Sequence, residues 1–304
     1  MTEAALPAPA SAVAVPRRSR LAAYVALTKP RIIELLLVTT VPAMIVAERG
    51  MPATWLILAT LVGGTLAAGG ANATNMVIDR DIDKLMRRTS KRPLVTGEIT
   101  PRNALIFAVA LEVAAAAWLA LVVNPLSAAL AVAATLFYVF VYTLWLKRTS
   151  TQNIVIGGAA GAVPVLVGWA AVTNELAVAP FVMFAIVFVW TPPHFWALAI
   201  RYKADYAAAD VPMLPVVATF DDTAKRIVAY TLVLWATSLA FWPAGSMGWI
   251  YLAAALPLGG VFTWKAVTLA RSHSPEPAMR LFKYSITYIT LLFGAMAADQ
   301  LLLH

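Results

Sequence analysis

The sequence predicts an all-α polytopic membrane protein, with nine transmembrane helices around a central cavity and a cytoplasmic N-terminus. Three observations predict this class. Hydrophobic residues make up 61% of the 304 residues, and the mean hydropathy is +0.78. Charged residues make up only 12%, against about 25% in soluble domains. Apolar segments of about 20 residues, the length that crosses a bilayer, follow one another along the chain.

The elements follow in order from the N-terminus. Residues 1–20 form a polar tail rich in alanine and proline, which we expect to be disordered, and residues 21–304 are expected to form one domain. The apolar segments are 32–47, 54–78, 103–123, 126–146, 153–173, 177–200, 227–243, 248–270 and 283–302. The first is short, and we expect it to continue back through Lys29 and Pro30 toward Ala22.

The glycines and the absent cysteines refine this prediction. The second and fifth segments are rich in glycine, which indicates close helix packing in lipid. A wall beside a flat or long ligand is the alternative. The chain has no cysteine, which excludes disulfides and thiolate sites.

The orientation follows from the basic residues. With the N-terminus inside, every lysine and arginine except Arg49 lies in the tail, in an inside loop or at the inside end of a helix. This alternation is what the positive-inside rule expects. The formal charge of +8 therefore indicates membrane topology and does not indicate a nucleic-acid partner. Since both long charged loops, 79–102 and 201–226, lie inside, the chemistry is expected on the cytoplasmic face.

Three polar residues spaced four apart lead from the second apolar segment into the first of these loops, namely Asn75, Asp79 and Asp83. On an α-helix this spacing keeps the side chains on one face over roughly 12 Å. Two carboxylates and an amide oxygen suit Mg²⁺, and adjacent carboxylates repel unless a cation neutralises them. The following arginines and lysines favour a diphosphate as the ligand. The alternative is a helix end at which the acids lie in solvent and pair with these arginines and lysines.

The second long charged loop could supply further ligands. Asp205, with or without Asp210, could face the first acids, while Lys203 and Arg201 could contact phosphate oxygens. A solvated loop with local charge pairs is the alternative. His194 stands just before this loop, beside two prolines. It could be a packing residue, a proton carrier or an axial ligand to a haem iron.

The fourth helix adds aromatic and basic groups at its inside end. Tyr138 and Tyr142 are one turn apart, so both can face the same cavity. Lys147 can contact phosphate or anchor the helix at the membrane surface. Gln152 and Asn153 begin the next helix and are expected to face the interior, because polar amides facing lipid are costly.

These residues resemble the UbiA superfamily of intramembrane prenyltransferases. Residues 75–94 closely resemble that family's first diphosphate motif, and the likeness covers roughly residues 22–300. The supporting stretches are residues 27–31, 147–158, 191–196 and 205–215. Many members carry two acids four apart in the second motif, whereas here Asp205 is followed by Asp210. The resemblance implies that Lys203 replaces part of the charge of a second metal ion.

Within the superfamily, the chain is similar to the branch that acts on haem. The resemblance implies transfer of a farnesyl group from farnesyl diphosphate to a vinyl group of haem b, giving haem O for terminal oxidases. It implies an Mg²⁺-dependent enzyme of the cell (inner or plasma) membrane, with haem b as a substrate and not as a permanent cofactor. The implied partners are the two substrates, the lipid bilayer and a downstream haem-modifying enzyme.

The resemblance also implies roles for individual residues of this chain. Asn75, Asp79 and Asp83 would hold the metal. Asp79, Asp83, Asp205 and Lys203 would carry the catalysis. The residues expected to bind substrate are Arg80, Arg88, Arg92, Tyr142, Lys147 and His194.

Two alternatives remain open at this point. A related prenyltransferase could act on another aromatic acceptor, such as a quinone precursor. His194 with its proline and aromatic neighbours favours haem over that acceptor. A transporter whose acids bind a coupling cation is a different class, but the arginines and lysines beside the acids fit an anionic phosphate ligand better than a cation pathway.

Overall fold

The computed structural model describes residues 18–303, without the side chains of residues 31, 32 and 34–37. Every regular element in that range is a helix. The predicted tail, residues 1–20, lies outside the described residues except for its last three positions. The helices are α1 (Arg20–Thr28), α2 (Pro30–Glu48), α3 (Thr54–Ile78), α4 (Arg80–Leu85), α5 (Pro101–Val123), α6 (Pro125–Thr149), α7 (Asn153–Thr173), α8 (Val178–Arg201), α9 (Lys203–Ala208), α10 (Leu214–Val217), α11 (Phe220–Ala244), α12 (Trp249–Ser272) and α13 (Glu276–Leu303).

Eight of the described helices are long and apolar enough to cross a membrane, namely α3, α5 to α8 and α11 to α13. Helix α2 has 19 residues, but its apolar part among the described residues, Val38–Glu48, is shorter. With α2 as a ninth, shorter crossing, the architecture is the predicted polytopic helical bundle. Large apolar side chains such as Leu121 and Trp249 are exposed on its outer surface, where they would face lipid.

The prediction that the first span continues back toward Ala22 is wrong. Lys29 adopts a left-handed backbone conformation, with φ 53°, and separates α1 from α2. Proline disfavours a helical residue before it and is itself well placed in the first turn of a helix. Pro30 therefore begins a new helix, and Lys29 becomes the corner between two.

Two other helices begin earlier than predicted, and the charged loops contain short helices. Helix α11 begins at Phe220 instead of 227, and α13 begins at Glu276 instead of 283. Their first turns are charged, so an apolar window does not include them. The Thr219 hydroxyl caps α11 by accepting a hydrogen bond from the Asp222 N–H at 3.1 Å, as a threonine N-cap does.

The long helices pack in a closed ring. Neighbours in the chain contact each other from α5 through α8 and from α11 through α13, while α3 contacts α5 and α8 contacts α11. Helix α13 contacts α2, and α2 contacts α3, which closes the ring. Two further contacts run across the ring, between α2 and α7 and between α8 and α13.

Candidate functional site

The three predicted metal ligands lie on one continuous helical face, where α3 meets α4. The Asp79 N–H donates to the Asn75 carbonyl and the Asp83 N–H donates to the Asp79 carbonyl, each at 2.9 Å. The four-residue register is therefore kept across the junction. Asn75, Asp79 and Asp83 are 3%, 0% and 2% exposed. We call these three residues the acidic cluster.

Basic side chains from distant segments pair with both carboxylates of the cluster. The Lys147 ammonium, at the end of α6, contacts Asp79 Oδ2. Arg92 Nη1, in the segment between α4 and α5, lies 2.5 Å from Asp83 Oδ2. A buried carboxylate without such a partner would be strongly destabilising, so these two ion pairs compensate the burial of both acids.

Asp81 lies beside the cluster but belongs to the surface. Arg148 binds its two carboxylate oxygens at 2.7 and 2.8 Å, and the Asp81 side chain is 60% exposed. These hydrogen bonds hold the pKa of Asp81 well below its usual range. Arg148 Nη2 is also 3.7 Å from Asp79 Oδ1, so Arg148 links the surface acid to the buried one.

Lys29 also contacts the acidic cluster. The sequence alone indicates for it only a positive charge at the inside membrane surface. Its ammonium donates to Asn75 Oδ1 at 2.8 Å. Burial, together with the positive charges of Arg92 and Lys147, lowers the pKa of Lys29 well below its ordinary value. The contact joins residues 46 positions apart, and the spacing of the acids carries no sign of it.

Helix α6 supplies the wall opposite Asn75. Asn75 Nδ2 donates to the Thr143 hydroxyl at 3.2 Å, and that hydroxyl donates to the Tyr138 carbonyl at 2.8 Å. Tyr138 and Tyr142 stack with ring centroids 5.4 Å apart, as their one-turn spacing predicts. Residues Phe137–Leu146 are wound as a π-helix, a form that often occurs at functional sites.

The second charged segment meets the first through Asp205. Asp205 Oδ2 accepts a hydrogen bond from the Arg88 N–H at 3.2 Å, and the Arg88 guanidinium lies 5.8 Å from the centre of the Tyr202 ring. Arg88, Arg80 and Lys203 are exposed. We call these three exposed cations the rim residues; the side chains of Arg92 and Lys147 are only 18% and 15% exposed.

His194 lies in a different set of contacts, between α8 and α13. Its ring stacks on Trp190 at 4.2 Å and packs on Phe282 at 4.6 Å, and the residue is 7% exposed. Nδ1 is 2.6 Å from the Ser285 hydroxyl, which donates its hydrogen to the Phe282 carbonyl at 2.7 Å. In the neutral ring, Nδ1 therefore carries the hydrogen and Nε2 keeps its lone pair.

The two amide side chains at the start of α7 differ in burial. Asn153 is fully buried, and neither amide atom has a hydrogen-bond partner in the described structure. Gln152 is exposed, so the expectation that it faces the interior is wrong. Gln152 precedes the first helical residue, and its side chain can therefore point to the membrane surface instead of into the bundle.

The acidic cluster has the donor set of a divalent metal site. Among the described residues, Asp79 Oδ1 is buried and accepts no hydrogen bond; its only ion-pair contact there is the longer one to Arg148 Nη2 at 3.7 Å, so this oxygen could still bind a metal ion. Among the side chains that the structure describes, no three acidic, histidine or cysteine groups gather as a metal site. The third oxygen donor here is the Asn75 amide, so the fit depends on two carboxylates and that amide.

Comparison with known proteins identifies the family of the chain. The UbiA prenyltransferase family matches residues 36–292. The chain is 55% identical to a protoheme IX farnesyltransferase of Clavibacter michiganensis, over 95% of each chain. It is 52% identical to a protoheme IX farnesyltransferase of Streptomyces coelicolor, over 94% of this chain and 93% of that one.

Solved structures share the fold at low sequence identity. A digeranylgeranylglyceryl phosphate synthase superposes with a TM-score of 0.77 at 16% identity, over 92% of this chain and 98% of that one. A UbiA homolog from Archaeoglobus fulgidus bound to GPP and Mg²⁺ superposes with a TM-score of 0.64 at 16% identity, over 90% and 99%. With family, fold and buried acids in agreement, the chain belongs to the UbiA prenyltransferase family, in the branch of the protoheme IX farnesyltransferases.

Proposed function

We propose that this chain transfers a farnesyl group from farnesyl diphosphate to a vinyl group of haem b, giving haem O. The observation that carries the proposal is the buried acidic cluster, paired with Lys147 and Arg92 at one end of a multi-pass membrane bundle. The names of the relatives, which are more than half identical over nearly the whole chain, supply the substrates. Haem and the isoprenoid tail of farnesyl diphosphate both partition into lipid, which suits a site inside a multi-pass membrane protein.

Asn75, Asp79 and Asp83 would hold Mg²⁺ at the diphosphate. The metal would act as a Lewis acid that stabilises the charge of the departing diphosphate. Mg²⁺ prefers oxygen ligands and usually keeps several waters and phosphate oxygens, so three protein ligands are sufficient. Solved UbiA homologs with bound Mg²⁺ and Cd²⁺ support a divalent ion in the family.

The rim residues would bind the diphosphate itself. Arg80, Arg88 and Lys203 are exposed cations on the two charged segments, and charge-assisted hydrogen bonds from them to the diphosphate would be the strong kind. As the bond from the first farnesyl carbon to oxygen breaks, the electron pair leaves with the diphosphate. Fixed positive groups stabilise that developing charge without moving, which is the largest single contribution in many enzymes.

The aromatic pair on α6 would stabilise the farnesyl cation. Tyr142 stacks with Tyr138 directly beside the acidic cluster, and aromatic faces attract a nearby cation. The vinyl carbon of haem then forms the new carbon–carbon bond. Water adds to the resulting cation and loses a proton, which leaves a hydroxyalkyl substituent. The product stays in the membrane, where a downstream haem-modifying enzyme could accept it.

His194 and Asp205 would act on either side of the reacting groups. His194 keeps an Nε2 lone pair, with no hydrogen-bond partner among the described residues, in an aromatic setting that suits haem. Asp205 ties the segment after α8 to the segment after α4, so that Lys203 stays at the rim. This pairing would close the charged end over bound diphosphate.

The first experiment is a product assay with the purified full chain in detergent, supplied with farnesyl diphosphate, Mg²⁺ and haem b and analysed by mass. We expect a haem that has gained one farnesyl group and one hydroxyl group, and loss of this product when EDTA removes the metal. Prenylation of a quinone precursor instead of haem would retain the family chemistry and reject the acceptor. Vesicle uptake without diphosphate release would favour the transporter and reject the proposal.

A further inference from the structure

Lys29 is held at the acidic cluster by the fold of the α1–α2 corner. Ala23 and Leu27 of α1 are buried against residues of α3. Asn72 Nδ2 on α3 donates to the Thr28 carbonyl at 3.1 Å. One turn further along α3, Asn75 Oδ1 accepts from the Lys29 ammonium at 2.8 Å. Two amides on one face of α3 therefore fix both the backbone and the side chain of this corner.

This contact occupies the oxygen that a metal would need. Asn75 Nδ2 donates to Asp79 Oδ2 at 2.7 Å and to the Thr143 hydroxyl at 3.2 Å. The amide cannot turn over, since its NH₂ group would then face the Lys29 ammonium and its oxygen would face an acidic oxygen. A divalent ion on the second lone pair of Asn75 Oδ1 would lie close to the ammonium, and the repulsion between the two positive charges favours movement of the ammonium away from this oxygen.

The surroundings of Lys29 favour an anion as its second partner. Lys147 and Arg92 are already paired with Asp79 and Asp83. Adding a divalent ion would raise the positive charge around Lys29 further, and like charges at short distance repel. A diphosphate bound to that ion would offer oxygens at the same place. The lysine stem has four rotatable carbons and three donors on its ammonium, so it can change partners without backbone movement.

We propose that Lys29 is a diphosphate-binding residue that exchanges partners when the site is loaded. It holds Asn75 Oδ1 while the metal is absent, and it binds a diphosphate oxygen once metal and substrate are present. The inference rests on the metal assignment of the proposed function and adds a residue to it. Before loading, Lys29 competes with the metal; after loading, it stabilises the metal–diphosphate complex.

This exchange predicts effects of opposite sign for one substitution. In Lys29→Met the Asn75 oxygen is free and one positive charge is gone, so Mn²⁺ should bind more tightly in the absence of diphosphate. Farnesyl thiodiphosphate, a slowly reacting substrate analogue, should bind about tenfold more weakly in the presence of Mn²⁺, as expected for one lost charge-assisted hydrogen bond. Electron paramagnetic resonance and calorimetry on the detergent-solubilised full chain measure both affinities without turnover.

Two further variants complete the experiment. Lys91→Met removes an exposed lysine from the segment after α4 and should leave both affinities unchanged. Lys29→Arg keeps the charge and should restore most of the diphosphate affinity. It also keeps the proposal testable if the methionine variant does not fold.

The possible outcomes separate this proposal from the proposed function. If Lys29→Met weakens metal and diphosphate binding alike, Lys29 has a structural role and the exchange is wrong. If neither affinity changes, Lys29 does not belong to the site. A third outcome is that the unsubstituted chain and the Lys29→Met variant have the same affinities for Mn²⁺ and for thiodiphosphate while the unsubstituted chain still makes the expected haem product. In that case only the inference about Lys29 fails. If the unsubstituted chain binds no Mn²⁺, the metal assignment falls and takes this inference with it.

Discussion

Asp79 and Asp81 are two positions apart, yet their surroundings are opposite. Asp79 is completely buried against Lys147, whereas the Asp81 side chain is 60% exposed and pairs with Arg148. Asp79→Ala should lower kcat by roughly 10²–10³-fold, the loss typical of removing one preorganised contact to transition-state charge. Asp81→Ala is the matched control, and the haem product assay measures both. Comparable activity in the two variants would remove Asp79 from the metal site.

A second prediction at this scale concerns the acceptor. If His194 ligates haem iron through Nε2, then His194→Ala should shift the absorption spectrum of bound haem and weaken its binding. Ser285→Ala should also change the spectrum, because Ser285 fixes which nitrogen carries the hydrogen. His273→Ala changes an exposed histidine paired with Asp221 and should have no effect. A haem spectrum that is unchanged by His194→Ala would assign that residue to packing.

Single residues were predictable where the contacts are local. The four-residue spacing of the acids and the stacking of Tyr138 on Tyr142 follow from helix geometry alone. The position of Lys29 was not predictable, because its contact to Asn75 depends on how α1 packs on α3. The hydrogen-bonded state of His194 likewise depends on Ser285, 91 positions away.

At the scale of helices, glycine sets how closely α2 and α7 approach. A Cβ added at Gly168 would lie 2.6 Å from the Thr40 carbonyl oxygen, so backbone would have to move. Gly168→Ala should destabilise the bundle by about 1–3 kcal/mol, the usual cost of overpacking. Gly161→Ala, on the same helix, meets nothing within 4 Å and is the control. Thermal unfolding in detergent should show a lower Tm for Gly168→Ala alone.

Helix positions were predictable from the apolar segments, but several helix ends were not. An apolar window stops where charges begin, although α11 and α13 extend two turns into the charged region.

The hydrogen bonds that buried side chains make to the ends of other helices were also not predictable. Asp299, fully buried, accepts hydrogen bonds from the N–H groups of Gly248 and Tyr251 at 2.6 and 2.8 Å. It satisfies the first turn of α12 from the far end of α13.

For the whole molecule, the distribution of basic residues predicts that the acidic cluster faces the cytoplasm. The chain has no cysteine, so a single introduced thiol reports its own side of the membrane. Arg87→Cys, in the segment after α4, should be protected from an impermeant maleimide in intact cells. Glu175→Cys, between α7 and α8, should be labelled. Labelling of Arg87→Cys from outside would reverse the orientation.

The contact between α13 and α2 has a consequence for biosynthesis. Helix α13 leaves the ribosome after the other described helices; it completes the surroundings of α2 and brings Phe282 and Ser285 to His194. Until α13 inserts, the central helices lack one neighbour, and the aromatic contacts of the histidine are incomplete. Since chains fold from the N-terminus during synthesis, the surroundings of His194 form after the acidic cluster. An unfinished chain therefore holds its acidic cluster in place before the contacts of His194 are complete.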